Sequence, residues 1–371
     1  MLVSPKVHSP SSRHERPLGV RAASQPRLEL KRGNQHHIPT LLGDVGSSPR
    51  TFTGHCHVET ALAQELWSDM FSSNTRLTYI AAPAGYGKTA LLRALQQRSA
   101  DDSIDNAVID CRDVDSSNWN AISSCLRPAE QPCRKLVLID NADESGELLM
   151  PSRLLSAIGP SSHIRCVVAS KSLPKDNWLA LQLSEDLRVL RSDDLRLRPQ
   201  DVAVMLEQYS GRAVPPGAAL RIDELTEGWP LAVQLCGFAA RRNADWFSVI
   251  KDTLEHAIDL NTYFDQVLRP LSKSLREFLM AAAPLDRFCA GLCRDVLQGL
   301  DGDALQSEAI DLNLFVVPDR QAGWYRFHRA FRHYLNRRSR EGERNETRST
   351  LKKARDWCFL HNQESQSIEY S

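Results

Sequence analysis

Between residues 77 and 190 the chain alternates short apolar runs with longer segments whose apolar residues recur at helical spacing. The runs at 77–81, 107–111, 136–140, 164–170 and 187–190 predict strands, and the segments between them predict helices. Strands alternating with helices imply a parallel sheet covered on both faces, an α/β arrangement whose ligands bind beyond the carboxyl ends of the strands. A helix is predicted before the first strand over 58–71 (Leu62, Leu66, Trp67, Met70). Another follows over 89–98, with Leu91, Leu92 and Leu95 inward and Arg93, Gln96 and Gln97 outward. Beyond about residue 195 the strand signal stops. Helices are predicted after Pro199 over 202–209, over 218–227, and past the Gly228-Trp229-Pro230 break over 231–241. More follow over 264–271 and 275–283. The runs 314–317 and 324–327, joined by polar residues 318–323, predict a hairpin or wing leading into a helix to about residue 338.

Composition places this pattern in an ordinary globular chain of 371 residues, 42% hydrophobic and 25% charged. Its 46 basic and 46 acidic residues cancel, so no whole-protein charge draws it to nucleic acid or an anionic membrane. Residues 1–50 differ: rich in Ser, Pro, His, Arg and Gly and without periodicity, they predict a disordered, basic extension. The nine cysteines are odd in number and lack C-x-x-C spacing, which predicts reduced thiols; Cys289 and Cys293 have no second pair to complete a zinc site. No run approaches the roughly 20 apolar residues of a membrane span, and the N-terminus has no apolar signal region, so a cytoplasmic protein without membrane contact is expected.

The legible chemistry lies directly after the first predicted strand, at Ala82-Pro-Ala-Gly-Tyr-Gly-Lys-Thr89. Gly85 and Gly87 let the backbone curl its N–H groups into an anion nest, Lys88 offers a cation to β- and γ-phosphates, and Thr89 offers a hydroxyl to Mg²⁺. The helix that follows points its positive end at the same anion. The predicted nucleotide-binding set is Ala84, Gly85, Tyr86, Gly87, Lys88, Thr89 and Ala90. Ala82 stands where the motif has its first glycine, a substitution that requires φ below zero there. The strand 136–140 ends in Asp140, a metal-holding carboxylate or, alternatively, the cap of the next helix. The following position, which in many phosphate-loop ATPases is a second acid, is Asn141, and an amide cannot accept a proton. Asp143 and Glu144 are the weaker catalytic candidates, an exposed-turn role being equally open. Nucleotide binding with slow hydrolysis follows.

Three ordered segments, Ala81–Thr89, 225–235 (Leu-Thr-Glu-Gly-Trp-Pro-Leu-Ala-Val-Gln-Leu) and 324–335, together resemble the signal-transducing ATPase (STAND) region of large LuxR-type, MalT-like transcriptional regulators. The resemblance implies a P-loop NTPase domain over 51–195, a helical lid over 196–245, a winged-helix domain over 246–340, and over 345–371 the start of a truncated helical-repeat domain, without the helix-turn-helix such regulators carry. It implies ATP/ADP and Mg²⁺ as ligands, with Asp140 on the metal. It also implies ATP-dependent self-association under a small-molecule or protein inducer. It assigns Pro230 to the adenine side, compatible with a helix start, and His328 to the β-phosphate of ADP, a core or surface histidine being the other reading. Lys171 stands where the family carries a phosphate-sensing arginine and lacks its planar fork. Two other functions remain open: a nucleic-acid-binding winged-helix ATPase using Arg326, Arg329, Arg332, Arg337 and Arg338, and a stand-alone ATPase acting on protein partners. Glu341, Glu343 and Glu346 interrupt that basic stretch and disfavour direct DNA binding.

Overall fold

Five apolar runs do form a single parallel sheet, because its three central strands are buried on both faces and must find helices on either side, while the two edge strands are only partly covered. In the computed structural model these are β1 (Leu77–Ala81), β2 (Asp105–Asp110), β3 (Lys135–Asp140), β4 (Ile164–Ser170) and β5 (Leu187–Arg191), in the order β2-β3-β4-β1-β5. The register sets Thr78 of β1 between Val167 of β4 and Arg188 of β5. The residues described are 59–363 apart from 113–118, 128–132, 161–162, 175–177, 242–244, 247, 250–257, 298, 341–343 and 362. The predicted extension at 1–50 lies outside them, as do residues 364–371.

Side chains alternate faces with a period of two. Ile80, Leu136, Leu138, Val167, Ala169 and Leu190 pack with Leu91, Leu92 and Leu95 of α2 (Lys88–Asp101) and with α1 (Ala61–Met70). Leu77, Tyr79, Val137, Ile139, Cys166 and Val168 face the other way, towards α3 (Trp119–Cys125) and α4 (Pro151–Ile158). A 3₁₀ turn (Ala142–Leu149) follows β3, and α5 (Trp178–Leu183) precedes β5.

Three helices come next, α6 (Pro199–Ser210), α7 (Pro216–Thr226) and α8 (Pro230–Ala240), each with proline in its first turn and with a core of their own around Val202, Leu206, Ile222, Val233 and Cys236. A Cβ on Gly237 would stand 2.6 Å from Cβ of Tyr209, which is why α6 and α8 can cross so closely.

The remainder consists of α9 (Ile258–Leu268), α10 (Lys273–Ala282), α11 (Ala290–Val296), α12 (Gly302–Asp311), the antiparallel pair β6 (Val316–Pro318) and β7 (Tyr325–Phe327), α13 (Arg329–Arg340) and α14 (Arg344–Leu360). The predicted wing is thus present, extended by paired hydrogen bonds between Phe288 and Tyr325. The predicted inward face of α13 is buried: Phe331, Tyr334 and Leu335, together with Phe327 before it. The last helix begins at Arg344, ahead of the apolar pattern that predicts it, and buries Ala354 and Cys358. Cys111, Cys166, Cys236, Cys293 and Cys358 are buried and in no disulfide. Among the described residues no helix is long and apolar enough to cross a membrane.

Candidate functional site

The loop after β1 is shaped by two left-handed glycines, Gly85 at φ +80° and Gly87 at φ +77°. Ala82 is not among the positive-φ residues, so the substitution for glycine there is unstrained. Gly87 caps α2 without a side chain bonding to the helix, and Ala84, Gly85, Tyr86, Gly87, Lys88, Thr89 and Ala90 all line one cavity of about 360 Å³. This is the geometry of an anion nest continuing into a helix N-terminus.

Around it the polar groups are arranged in pairs. Lys88 Nζ donates to the carbonyls of Ala82 (2.7 Å) and Pro83 (3.0 Å), and burial lowers its pKa to about 8. Thr89 Oγ1 donates to Asp140 Oδ2 at 2.7 Å, and Asp140 is 1% exposed, so burial raises its pKa. A hydroxyl and a carboxylate oxygen together on the cavity wall are hard-oxygen ligands of the kind Mg²⁺ takes alongside phosphate oxygens and water. Asp140 Oδ1 also accepts from the backbone N–H of Asn141, a bond to its own neighbour and not to the first turn of the 3₁₀ segment that starts at Ala142. Asn141 adopts φ +55° and donates its amide to Asp110 Oδ1 at 2.9 Å. Asp143 and Glu144 do not line the cavity: Asp143 accepts from the backbone N–H of Lys171 (3.0 Å) and pairs with its Nζ (2.9 Å), and Glu144 lies 3.6 Å from the same Nζ.

The other walls come from outside the sheet. Thr60 and Leu62 of the first helical segment, Arg196, Met205, Pro230 and Leu231 complete the cavity. The Leu231 N–H donates to Gly85 O (3.1 Å) and the Tyr263 hydroxyl to Ala84 O (2.8 Å). A Cβ on Gly85 would press on Leu231 at 3.0 Å and on Trp229 Nε1 at 3.1 Å, so this glycine is needed for packing as well as for its φ. Pro230 occupies the first turn of α8 and the cavity wall together.

With this geometry in view, comparison with known proteins becomes specific. Residues 264–347 match the MalT winged helix domain. The chain is 24% identical over 329 residues to the serine/threonine-protein kinase PknK of Mycobacterium tuberculosis, covering 77% of this chain and 30% of that protein. It is 22% identical over 307 residues to the HTH-type transcriptional regulator MalT of Cronobacter sakazakii, covering 72% of this chain and 34% of that one. The chain carries a MalT-like STAND region. It spans about a third of the length of these curated relatives. A Walker-type ATPase of Pyrococcus abyssi shares the fold, with a TM-score of 0.52 and 16% identity over 76% of this chain and 96% of that one.

Within the STAND region His328 lies behind the loop and does not line the cavity. It is fully buried, its Nε2 meets the Thr226 carbonyl at 3.0 Å, its ring packs 5.5 Å from Trp229, and Nδ1 has no hydrogen-bond partner. Burial lowers its pKa from 6.5 to about 4. The unfolded chain therefore takes up a proton below pH 6.5 that the folded chain refuses until about pH 4, so stability is lost as the pH is lowered through that window. Between pH 7 and pH 5 this amounts to about 2 kcal/mol. Urea midpoints of a His328→Gln variant should lack that part of the acid slope; parallel slopes in both proteins would refute it.

Sequence reasoning passed over Arg196, Glu227, Tyr263 and Phe315. Glu227 was visible as part of the Glu-Gly-Trp-Pro segment, but its partner Arg326 is far along the chain and no spacing rule joins them. Tyr263 reaches the loop across a still longer gap.

Proposed function

We propose that this chain is an ATP/ADP-binding switch module of a regulator, in which helical lid and winged-helix domain close on the phosphate loop and hydrolysis is slow. What carries the reading is that hydrogen bonds from Leu231 and Tyr263 end on adjacent carbonyls of the loop, so a change of ligand there is felt by both. Lys88 would meet the phosphates, Thr89 and Asp140 would hold Mg²⁺, and Pro230 would border the base. His328 would follow the bound state through Trp229, against which it packs.

Slow turnover is supported by the commitments of the acids. Asp140 is bonded to Thr89, Asp194 to the Arg191 N–H and Asp201 to the Ala61 N–H, while Asp143 and Glu144 serve Lys171. Asn141 holds Asp110. Each described carboxylate on the cavity wall thus already accepts a hydrogen bond from within the protein. The basic stretch is likewise engaged internally: Arg326 on Glu227, Arg332 on Asp286 and Arg338 on Asp265, which disfavours direct DNA binding. The two named relatives carry different outputs, a protein kinase and a transcriptional regulator, and share with this chain a region about a third of their length. A shared input module accounts for that better than a shared output.

In calorimetry the protein should bind ATP and ADP. Turnover should be on the order of 10⁻³ s⁻¹ or slower, as in phosphate-loop proteins without a completed catalytic set. Sedimentation should show larger species with ATP and Mg²⁺ than with ADP. Rapid hydrolysis without added effector would replace this reading by a turnover ATPase, and identical sedimentation with both nucleotides would remove self-association from it.

A further inference from the structure

Where the chain leaves the sheet for the helical lid, residues 195–198 run against the turn 227–229. The Leu197 N–H donates to Gly228 O at 2.9 Å. Gly228 has φ +66°, and a Cβ there would stand 2.5 Å from Leu197 O, so only glycine permits this contact. The close approach sets Arg196, which lines the nucleotide cavity, beside Glu227.

Glu227 joins three segments. It ends α7 in the left-handed region at φ +50°, accepts the two-toothed hydrogen bonds of Arg326 from β7 (2.9 and 2.7 Å), and accepts the Arg329 N–H at the start of α13 (3.1 Å). Arg196 Nη2 lies 3.3 Å from its Oε2. Burial by itself would raise the Glu227 carboxyl, yet the Arg326 hydrogen bonds first, then the nearby His328 and the charges of Arg326 and Arg196, bring it down to about 2. The Arg196 guanidinium is close enough to Asp193 (2.9 Å) and Glu227 for charge pairing, but Nε and Nη2 make no hydrogen bond to either. It is a held cation on the wall of a cavity built for an anion, its Nε and Nη2 buried without hydrogen bonds behind that wall.

We propose that Arg196 is a ligand of the bound nucleotide's anionic part, and that Glu227 and Arg326 are positioning residues that hold it at the cavity wall only while the winged-helix domain is seated. This deepens the proposed function and rests on it. Arg326 does not line the cavity, and its two-toothed bond to Glu227 is its direct link to Arg196 on the cavity wall. By linkage the same coupling makes bound nucleotide favour the seated domain.

The experiment titrates ATP and ADP calorimetrically into the wild type, Arg196→Gln, Arg326→Gln and the double variant of the full chain, with thermal melts to verify folding. Each single variant should weaken binding at least about fivefold, the lower end of typical coupling between sites. The double variant should be no weaker than Arg196→Gln, because both act on one contact. Arg326→Lys, which keeps the charge without the fork, should fall between wild type and Arg326→Gln. Glu227→Gln should reproduce the loss if Arg326→Gln does not fold. Unchanged affinity in Arg326→Gln, or in Glu227→Gln where that variant takes its place, would overturn the coupling while leaving the nucleotide site intact, as would independent, multiplying losses. A wild type that binds neither nucleotide would overturn the functional reading and this proposal together.

Discussion

Replacing Lys88 by alanine should lower the affinity for both ATP and ADP by about a hundredfold, with little change in folding. The amine sits among the left-handed turn of Gly87, the Ala82 and Pro83 carbonyls and the start of α2. Burial has already removed most of its water and brought its pKa to about 8, so a phosphate entering the nest would meet a cation already largely desolvated. Losing a charge-assisted hydrogen bond in such a place costs about 3 kcal/mol of binding. Folding should tolerate the change because the amine's partners are two backbone carbonyls beside a cavity that water can enter. Calorimetry reads the affinity and a thermal melt reads the fold. Wild-type affinity in a folded Lys88→Ala variant would move the nucleotide away from this loop, whatever the resemblance implies.

The local half of this site was legible because its chemistry is contiguous. Loop, strand and helix occupy residues 77–101, and the glycine spacing states the backbone curl directly. Asp140 was legible for a related reason, since an apolar strand ending in an acid in a parallel sheet has one place to put it, the carboxyl edge, here between β2 and β4. The strand pattern carried the sheet but not its order, which depends on helices packing from either side. Helices α3, α5 and α11 are six or seven residues long, too short for apolar periodicity to declare them. What the pattern could not give was the meeting of distant segments. Whether His328 faces a phosphate or the core depends on where Trp229 and Phe315 come to rest, and Asp143 could not be known to serve Lys171 until β3 and β4 were placed side by side.

Trp229→Ala should produce the largest loss of stability of any single change at this site, about 3–5 kcal/mol. The indole is completely buried at the N-terminus of α8 and belongs to three structures at once. It lies 6.2 Å from Tyr86 of the phosphate loop, is stacked 5.6 Å from Phe264, and meets Phe315 at 5.3 Å and His328 at 5.5 Å. Rings from opposite sides cannot collapse together over the vacated volume without moving the loop or the wing, so the cavity should persist and its cost be paid in full. The indole N–H is buried without a hydrogen-bond partner, so it adds little to the residue's contribution. Trp229→Phe should therefore recover more than half of the loss. If stability comes from aromatic burial, urea midpoints will rank wild type, then Trp229→Phe, then Trp229→Ala; equal losses in both variants would mean that the indole's full outline is what locks the lid to the loop. Because Leu231 and Gly85 are bonded two residues away, Trp229→Ala should also weaken nucleotide binding, whereas Trp229→Phe should leave it near wild type. A destabilised Trp229→Ala variant with unaltered affinity would show that this aromatic cluster supports the fold without taking part in the closure of lid on loop.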